Sequence, residues 1–283
     1  MSDVTVIIVN YNSGPLSRAV VRSAAADLAG VDWNAIVVDN ASPDGSASAL
    51  DGLERTAVIR NARNVGFGAA ANQAASQTNA PLLWLLNPDC VVVGGAFNAL
   101  RATLEKYRDC AIAAPQLLNG DGTTQASARG NPTAWTGLFG RHSLLTKLLP
   151  DAALAKANLP AKDLVASGVE SAVVDWVMGA SMLIRRAPFD AAGGFDERYF
   201  LYWEDADLCR RLRDAGWTTR YVPGAIVEHP GGASASTARA FASRVFHESA
   251  YRYYATHVAP SPWHPARWIA RVALPLRGWW RGR

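Results

Sequence analysis

The chain carries two groups of residues whose types and spacing suit chemistry. In Asn87-Pro88-Asp89, a carboxylate emerges directly beyond the apolar run Leu82-Leu-Trp-Leu-Leu86. An acid so placed can hold Mg²⁺ or Mn²⁺ against a diphosphate, because such ions take one or two carboxylates and complete their shell with water and phosphate oxygen. The same acid would equally serve to cap a turn. The second group is Tyr202-Trp-Glu-Asp-Ala-Asp207. Leu208 and Leu212 are four apart on one face of a helix that Gly216 can stop, so Glu204, Asp205 and Asp207 crowd its N-terminus. One or two acids there complement the helix dipole. Three, directly after the aromatic run Tyr199-Phe-Leu-Tyr-Trp203, exceed that need. A carboxylate in this position can take the proton from an attacking hydroxyl.

Two weaker signals accompany these. Asn64-Val-Gly-Phe-Gly68, followed by Asn72, reads as a glycine-containing loop entering a helix. Gly66 and Gly68 would let the backbone approach a ligand closely, with the helix N-terminus nearby for an anion. His229 follows the strand-like Ile226-Val-Glu and precedes Gly231-Gly232. A single histidine without a second one nearby is ordinarily structural.

The elements that must position these residues alternate along the first half. Val4–Val9, Ala35–Val38, Ala57–Arg60 and Leu82–Leu86 read as strands, separated by turn residues and helical stretches. Repeated β-loop-α units imply a parallel sheet covered by helices on both faces. Ligands of such sheets gather at the carboxyl ends of the strands. Asn10, Asp39, Asn64 and Asp89 lie at or soon after such ends, so they are predicted to converge on one crevice. From 131 to 172 the alternation lapses, and Leu144, Leu145, Leu148, Leu149, Leu154, Leu159 and Leu164 predict short helices inserted beside the sheet. A second structured half runs from Val173 to His229. The catalytic unit is thus expected over 1–236, with a helical segment over 237–283.

Composition narrows the class. The 283 residues are 49% hydrophobic and 18% charged, which excludes general disorder. Cys90, Cys110 and Cys209 form no C-x-x-C pair, which favours a reducing compartment over a disulfide framework or a thiolate metal site. The chain opens directly into Val4-Thr-Val-Ile-Ile-Val9 without a secretory signal, and no apolar run approaches the ~20 residues that span a bilayer. A cytoplasmic location is expected. Net charge is +4, without a basic face for nucleic acid. From Pro260 to Arg283, however, there are five arginines and no acid, interleaved with Trp263, Trp268, Trp279 and Trp280. That pattern suits the inner leaflet of an anionic membrane, and suits equally a solvated tail that packs its tryptophans on the domain. Pro262, Pro265 and Pro275 predict short helical pieces in place of one continuous helix.

Taken together these stretches resemble the family 2 glycosyltransferases, and in particular the bacterial rhamnosyltransferase-like branch that builds O-antigen and mycobacterial cell-wall linkers. The carriers are Val6-Ile-Ile-Val-Asn-Tyr-Asn12, Val37-Val-Asp-Asn-Ala-Ser42, Asn64-Val-Gly-Phe-Gly68, Asn87-Pro-Asp89, Gly193-Gly-Phe-Asp-Glu197, Tyr202-Trp-Glu-Asp-Ala-Asp207, Ala215-Gly-Trp217 and His229. In this order they cover Val4 to Ser234. The resemblance implies a GT-A fold: α/β, with a Rossmann-like, mostly parallel central sheet flanked by helices.

By the same resemblance, Asp39 recognises the base of a sugar nucleotide, with Asn10 and Asn12 nearby. Asp89 occupies the metal-binding position of the D-x-D motif. Asn87 stands at that motif's first position, which leaves the metal fewer protein ligands, and His229 completes the shell. Asp205 matches the catalytic base, with Glu204 its neighbouring candidate, and Arg129 lies near the substrate. The implied reaction is a metal-dependent, inverting transfer of L-rhamnose from dTDP-L-rhamnose to a saccharide on a polyprenyl diphosphate. Another UDP-, dTDP- or GDP-sugar as donor is an alternative. So is a protein that binds nucleotide sugars without turnover, against which the intact Asp89, Glu204, Asp205 and His229 argue. Nucleotidyl transfer would want a basic loop near the N-terminus, which Asn12-Ser-Gly-Pro15 lacks.

Overall fold

The computed structural model describes residues 2–132, 161–231 and 239–281. The leucines from Leu144 to Leu159, on which the helical insertion is predicted, lie outside these residues.

The first half follows the sequence pattern closely. Strand β1 (Val4–Asn10), helix α1 (Leu16–Asp27), β2 (Trp33–Asp39), β3 (Thr56–Arg60), α2 (Phe67–Ser76) and β4 (Leu82–Leu86) form a parallel unit in the order β3-β2-β1-β4. Every residue of β1 is buried, as a β-branched run covered on both faces should be. Its alternate side chains serve two cores. Val4, Val6 and Ile8 pack with Val20, Ala24 and Leu28 on the α1 side, and Ile7 and Val9 with Ala70, Ala71 and Ala74 of α2. The chain leaves β1 for β2 on one side and returns through β4 on the other. That reversal opens a crevice at the carboxyl ends of β1 and β4.

The second half adds β5 (Val91–Val92), α3 (Ala96–Lys106), β6 (Cys110–Leu118), β7 (Ala128–Arg129), α4 (Ala161–Ala166), β8 (Ala172–Val174), β9 (Trp176–Val177), β10 (Ser181–Arg185), α5 (Arg186–Ala191), α6 (Glu204–Asp214) and β11 (Thr218–Glu228). Antiparallel β10 joins β4 to β6, and β11 runs parallel to β6. Strands β3, β2, β1, β4, β6 and β11 therefore share one direction, while β10, β5 and β8 oppose it. The sheet is mostly parallel, as expected. β7 and β9 pair separately.

Helix α6 ends as its glycine predicts. Gly216 has φ +88°, its N–H donates to the Arg213 carbonyl, and the Trp217 N–H donates back to Leu212. Helix α7 (Arg239–Tyr253), a π turn (Tyr254–Val258) and α8 (Pro265–Arg281) complete the chain. Here the structure corrects the proline reading: Pro265 begins α8, where its missing N–H costs nothing, and Pro275 lies within it. No described helix is long and apolar enough to cross a membrane.

Candidate active site

The crevice begins with a closed polar network at the ends of β1 and β2, whose register sets Asn10 beside Asp39. The Asn10 amide donates to Asp39 Oδ1 at 2.6 Å and to Ser46 Oγ at 2.8 Å, and its own oxygen accepts from Ser13. Asp39 is only 4% exposed, and its second oxygen accepts from the Ser42 N–H at 3.2 Å. Ser42 Oγ in turn accepts from the Asn12 N–H at 3.0 Å. Asn12 has φ +51°, and its side-chain oxygen is buried without a partner. A buried, unpaired acceptor at a strand end suits a ligand donor. Ser42 and Ser46 belong to this network, although nothing in their spacing marks them.

Asn40, one residue on, latches the neighbouring loop. Its amide donates to Asn64 Oδ1 (2.8 Å) and the Gly66 carbonyl (3.1 Å), and its oxygen accepts from Asn61 and the Val65 N–H. Gly66 and Gly68 do permit a close approach, but to the chain's own backbone and side chains. A Cβ on Gly66, at φ +93°, would stand 2.6 Å from the Phe200 carbonyl oxygen, and one on Gly68 3.0 Å from Phe195 Cβ. The Phe67 N–H at the start of α2 donates to that same Phe200 carbonyl. Asn72 likewise exchanges two hydrogen bonds with the Phe195 backbone and donates to Glu197. These residues fasten α2 to the segment leading into α6.

At the end of β4, the Asn87 N–H donates to the Ala180 carbonyl at 2.8 Å. The β5–β11 pairing then draws Asp89 beside His229, which follows β11. Asp89 Oδ1 and His229 Nε2 are 3.3 Å apart, and the Asn87 amide lies 3.3 Å from that same nitrogen. Gln125 contacts His229 Nδ1 at 3.1 Å and donates to its carbonyl, fixing the ring from behind. Burial would raise the Asp89 carboxyl, but the His229 contact and N–H groups including that of Gly231 outweigh it and hold its pKa below the usual value. Asp89, Cys90 and His229 offer ligand atoms within 4.8 Å of one another. Cys90 does not suit the role: burial pushes its thiol far up, and its Sγ donates to the Ala180 carbonyl. The carboxylate–imidazole pair does fit Mn²⁺ or Mg²⁺ with water and phosphate oxygens completing the shell.

Across the crevice, Tyr202 and Trp203 turn the chain into α6 with φ +68° and +72°. Bulky residues hold that conformation only where packing compensates. Trp203 stacks on Trp176 (centroids 6.2 Å apart) and packs against Tyr253 (5.2 Å), while Tyr202 meets Phe246. The three acids beyond this turn have different environments. Glu204 is 5% exposed with Oε2 unpaired; burial, then the charges of Asp205 and Asp207, push its pKa well up. Both causes favour its neutral form. Asp205 is also pushed up by burial, but it accepts from the Gly179 N–H at 2.8 Å and the Ala206 N–H at 2.7 Å, and the Arg129 charge opposes the shift. It keeps partial solvent access. Asp207 is 1% exposed and bound to Arg211 and His257, each at 2.7 Å.

Arg129, on β7, lies with its guanidinium 5.3 Å from the Trp176 ring centre and donates to the Ala126 carbonyl. The Gly179–Ala180 turn joins both sides of the crevice, since one residue holds Asp205 and the next holds Asn87. Only its glycine hints at this in the sequence.

Solved glycosyltransferases share this architecture over nearly the whole chain. The mannosyltransferase PcManGT from Pyrobaculum calidifontis, in complex with GDP-Man and Mn²⁺, matches 99% of the chain and 72% of its own with a TM-score of 0.59 at 14% identity. GalNAc-T7 with UDP, GalNAc and Mn²⁺ matches 98% of the chain and 55% of its own, with a TM-score of 0.61 at 20% identity. The fold is GT-A. The chain belongs to glycosyl transferase family 2, whose profile matches residues 5–154, and it is a glycosyltransferase. It is 30% identical over 98% of its length, and 92% of the relative's, to the N-acetylglucosaminyl-diphospho-decaprenol L-rhamnosyltransferase of Mycobacterium tuberculosis. It is also 42% identical, over 29% of its length and 31% of the relative's, to the rhamnosyltransferase WbbL of Escherichia coli K12.

Proposed function

We propose that the enzyme transfers L-rhamnose from dTDP-L-rhamnose to a saccharide carried on a polyprenyl diphosphate, with inversion at the anomeric carbon. The relationship to the mycobacterial rhamnosyltransferase supports the sugar and the lipid-linked acceptor. The observation that carries the mechanism is the state of Asp205. It is a carboxylate fixed by two N–H groups, raised in pKa by burial, and partly open to solvent.

In this reading Asn10, Asn12 and Asp39 receive the nucleoside. Asp89 and His229 would hold Mg²⁺ or Mn²⁺, which when bound would supply positive charge to a diphosphate leaving group. Asp205 takes the proton from the acceptor hydroxyl as that oxygen attacks the anomeric carbon opposite the leaving group. A single displacement needs no covalent nucleophile, and its product has the anomeric configuration opposite to that of the donor. Arg129, beside Asp205, offers positive charge to the acceptor side. The enzyme would work at the inner face of the cytoplasmic membrane, where such acceptors are presented.

The test combines binding with product analysis. Purified enzyme is melted with dTDP-L-rhamnose, UDP-, GDP- and other dTDP-sugars, with and without Mn²⁺. A donor at 100 times its dissociation constant stabilises by ~2.7 kcal/mol. Preferential stabilisation by dTDP-L-rhamnose in the presence of Mn²⁺, followed by an inverted rhamnosyl product, is expected. Preference for another sugar nucleotide, or retention of configuration, overturns the reading.

A further inference from the structure

Helix α8 is apolar on two opposed sides, and only one of them is covered. Ala266, Ala270 and Leu274, spaced by four, form a half-buried stripe on a helix that packs along α7. Trp268, Ile269 and Val272 lie roughly 150° round the helix at ~100° per residue. They are 56%, 69% and 61% exposed, and Trp263 just before the helix is 85% exposed. Arg271 flanks this outer face, with its guanidinium 5.8 Å from the Trp268 ring centre. Exposing three large apolar side chains in one row is costly for a face that water alone covers.

We infer that the outer face of α8 docks on an anionic lipid bilayer and holds the catalytic domain at its surface. Charge selects this occupant. The segment from Pro260 to Arg283 has five arginines and no acid, which lipid phosphate complements and a second copy of the same segment does not. Indole beside guanidinium is the pairing that settles at headgroup depth. The helix would lie in the interface without spanning it.

The attachment is also oriented. His257 in the π turn bonds Asp207 of α6 at 2.7 Å, Ser249 of α7 donates to the Leu201 carbonyl at 2.9 Å, and Tyr253 packs on Trp203. The α7–α8 unit is thus fixed to the turn that launches Glu204 and Asp205. Binding would set the acceptor side of the site at a fixed attitude to the lipid, which rests on the lipid-linked acceptor proposed above.

The experiment separates the two ideas. Full-length enzyme, without donor or acceptor, is floated with vesicles of phosphatidylcholine alone and with about 30% phosphatidylglycerol, at low and high salt. Binding to the anionic vesicles only, weakened by salt, is expected. The variant Trp268→Ser/Ile269→Ser/Val272→Ser should stay in the soluble fraction with an unchanged melting curve. Arg271→Gln should lower partitioning about fivefold. On the acceptor side, the triple variant should lose turnover on a lipid-linked acceptor while keeping it on a short soluble analogue. Wild-type enzyme that remains soluble at low salt, or a triple variant that floats like wild type, overturns the inference. So does a concentration-dependent dimer that the triple variant abolishes, which would assign the face to a second copy. Flotation does not depend on which sugar or acceptor is used, so failure of the rhamnosyl reading leaves it intact.

Discussion

Replacing Asp205 with asparagine preserves the volume of the side chain and removes its capacity to take a proton. The two N–H groups of Gly179 and Ala206 both point at carboxylate oxygens, at 2.8 and 2.7 Å. An amide offers only one oxygen, so one of these donors faces an NH₂ group. A donor left unpaired there costs about 1–3 kcal/mol, against a total stability of roughly 5–15 kcal/mol. The variant therefore folds, with a lower melting temperature. Loss of a general base costs ~10²–10⁴-fold in rate, or about 2.7–5.4 kcal/mol in the barrier. Because Asp205 lies across the crevice from the Asn10–Asp39 network, donor affinity is expected to change little. Donor binding followed by thermal shift, and dTDP release followed under saturating donor and acceptor, separate the two effects. Turnover within about threefold of wild type would refute the assignment of Asp205 as base, and a parallel fall in donor affinity would show that it acts in binding instead.

Other perturbations test neighbouring features. Glu204→Gln should keep turnover close to wild type, because burial and the neighbouring carboxylates favour the neutral form of the native side chain; a loss matching that of Asp205→Asn would reverse the two roles. Its effect on stability should depend on pH: the raised pKa means the unfolded chain releases this proton first, so wild-type stability falls as pH rises above ~4.3, by up to ~1.4 kcal/mol per pH unit, until the folded pKa is reached. Melting curves from about pH 4.5 to about pH 8, above that threshold, should show glutamine gaining on glutamate. Asp89→Ala should abolish the Mn²⁺ dependence of donor binding and His229→Ala should weaken it more mildly, read by titrating donor at several Mn²⁺ concentrations. Gly66→Ala, at φ +93° and 2.6 Å from a backbone oxygen, should destabilise more than Gly30→Ala, at φ +82° with nothing within 4 Å, when the two are compared by thermal melting.

The parallel half was legible because each strand is a continuous apolar run ending in turn residues, and burial on both faces leaves no other use for Val4–Val9 or Leu82–Leu86. The reversal at β10 was not. Ser181-Met-Leu-Ile-Arg185 is short, and its direction is set by pairing with β4 and β6. The same limit applies to Gln125, which braces His229 from 104 residues away and sits in no periodic pattern. The Asn64–Gly68 loop shows a different limit. Its glycines correctly signal a close approach, but the local signal is identical whether the approaching atom belongs to a ligand or to Phe200. Asn72 shows the same limit, since its partners lie on the segment that Phe195 begins.

The acids of α6 show why motif and mechanism are separate questions. Glu204, Asp205 and Asp207 share one helical turn and, in the sequence, one description. Position round the helix then gives each a different partner. Asp207 faces inward onto Arg211 and His257, which spends its charge on joining the C-terminal helices to the catalytic unit. Glu204 faces inward without a counter-charge, and its pKa is pushed up because burial and then the neighbouring carboxylates oppose ionisation. Asp205 receives the N–H groups of Gly179 and Ala206, which stabilise its charge while burial keeps it basic. The division depends on the left-handed pair Tyr202–Trp203, because that turn sets which way the first residue of the helix points. The aromatic packing of Trp203 on Trp176 and Tyr253 compensates the strain. The chain that supplies Tyr253 is the one that carries α8. The conformation of the base and the seating of the C-terminal helices are therefore one packing problem, solved by the same side chains.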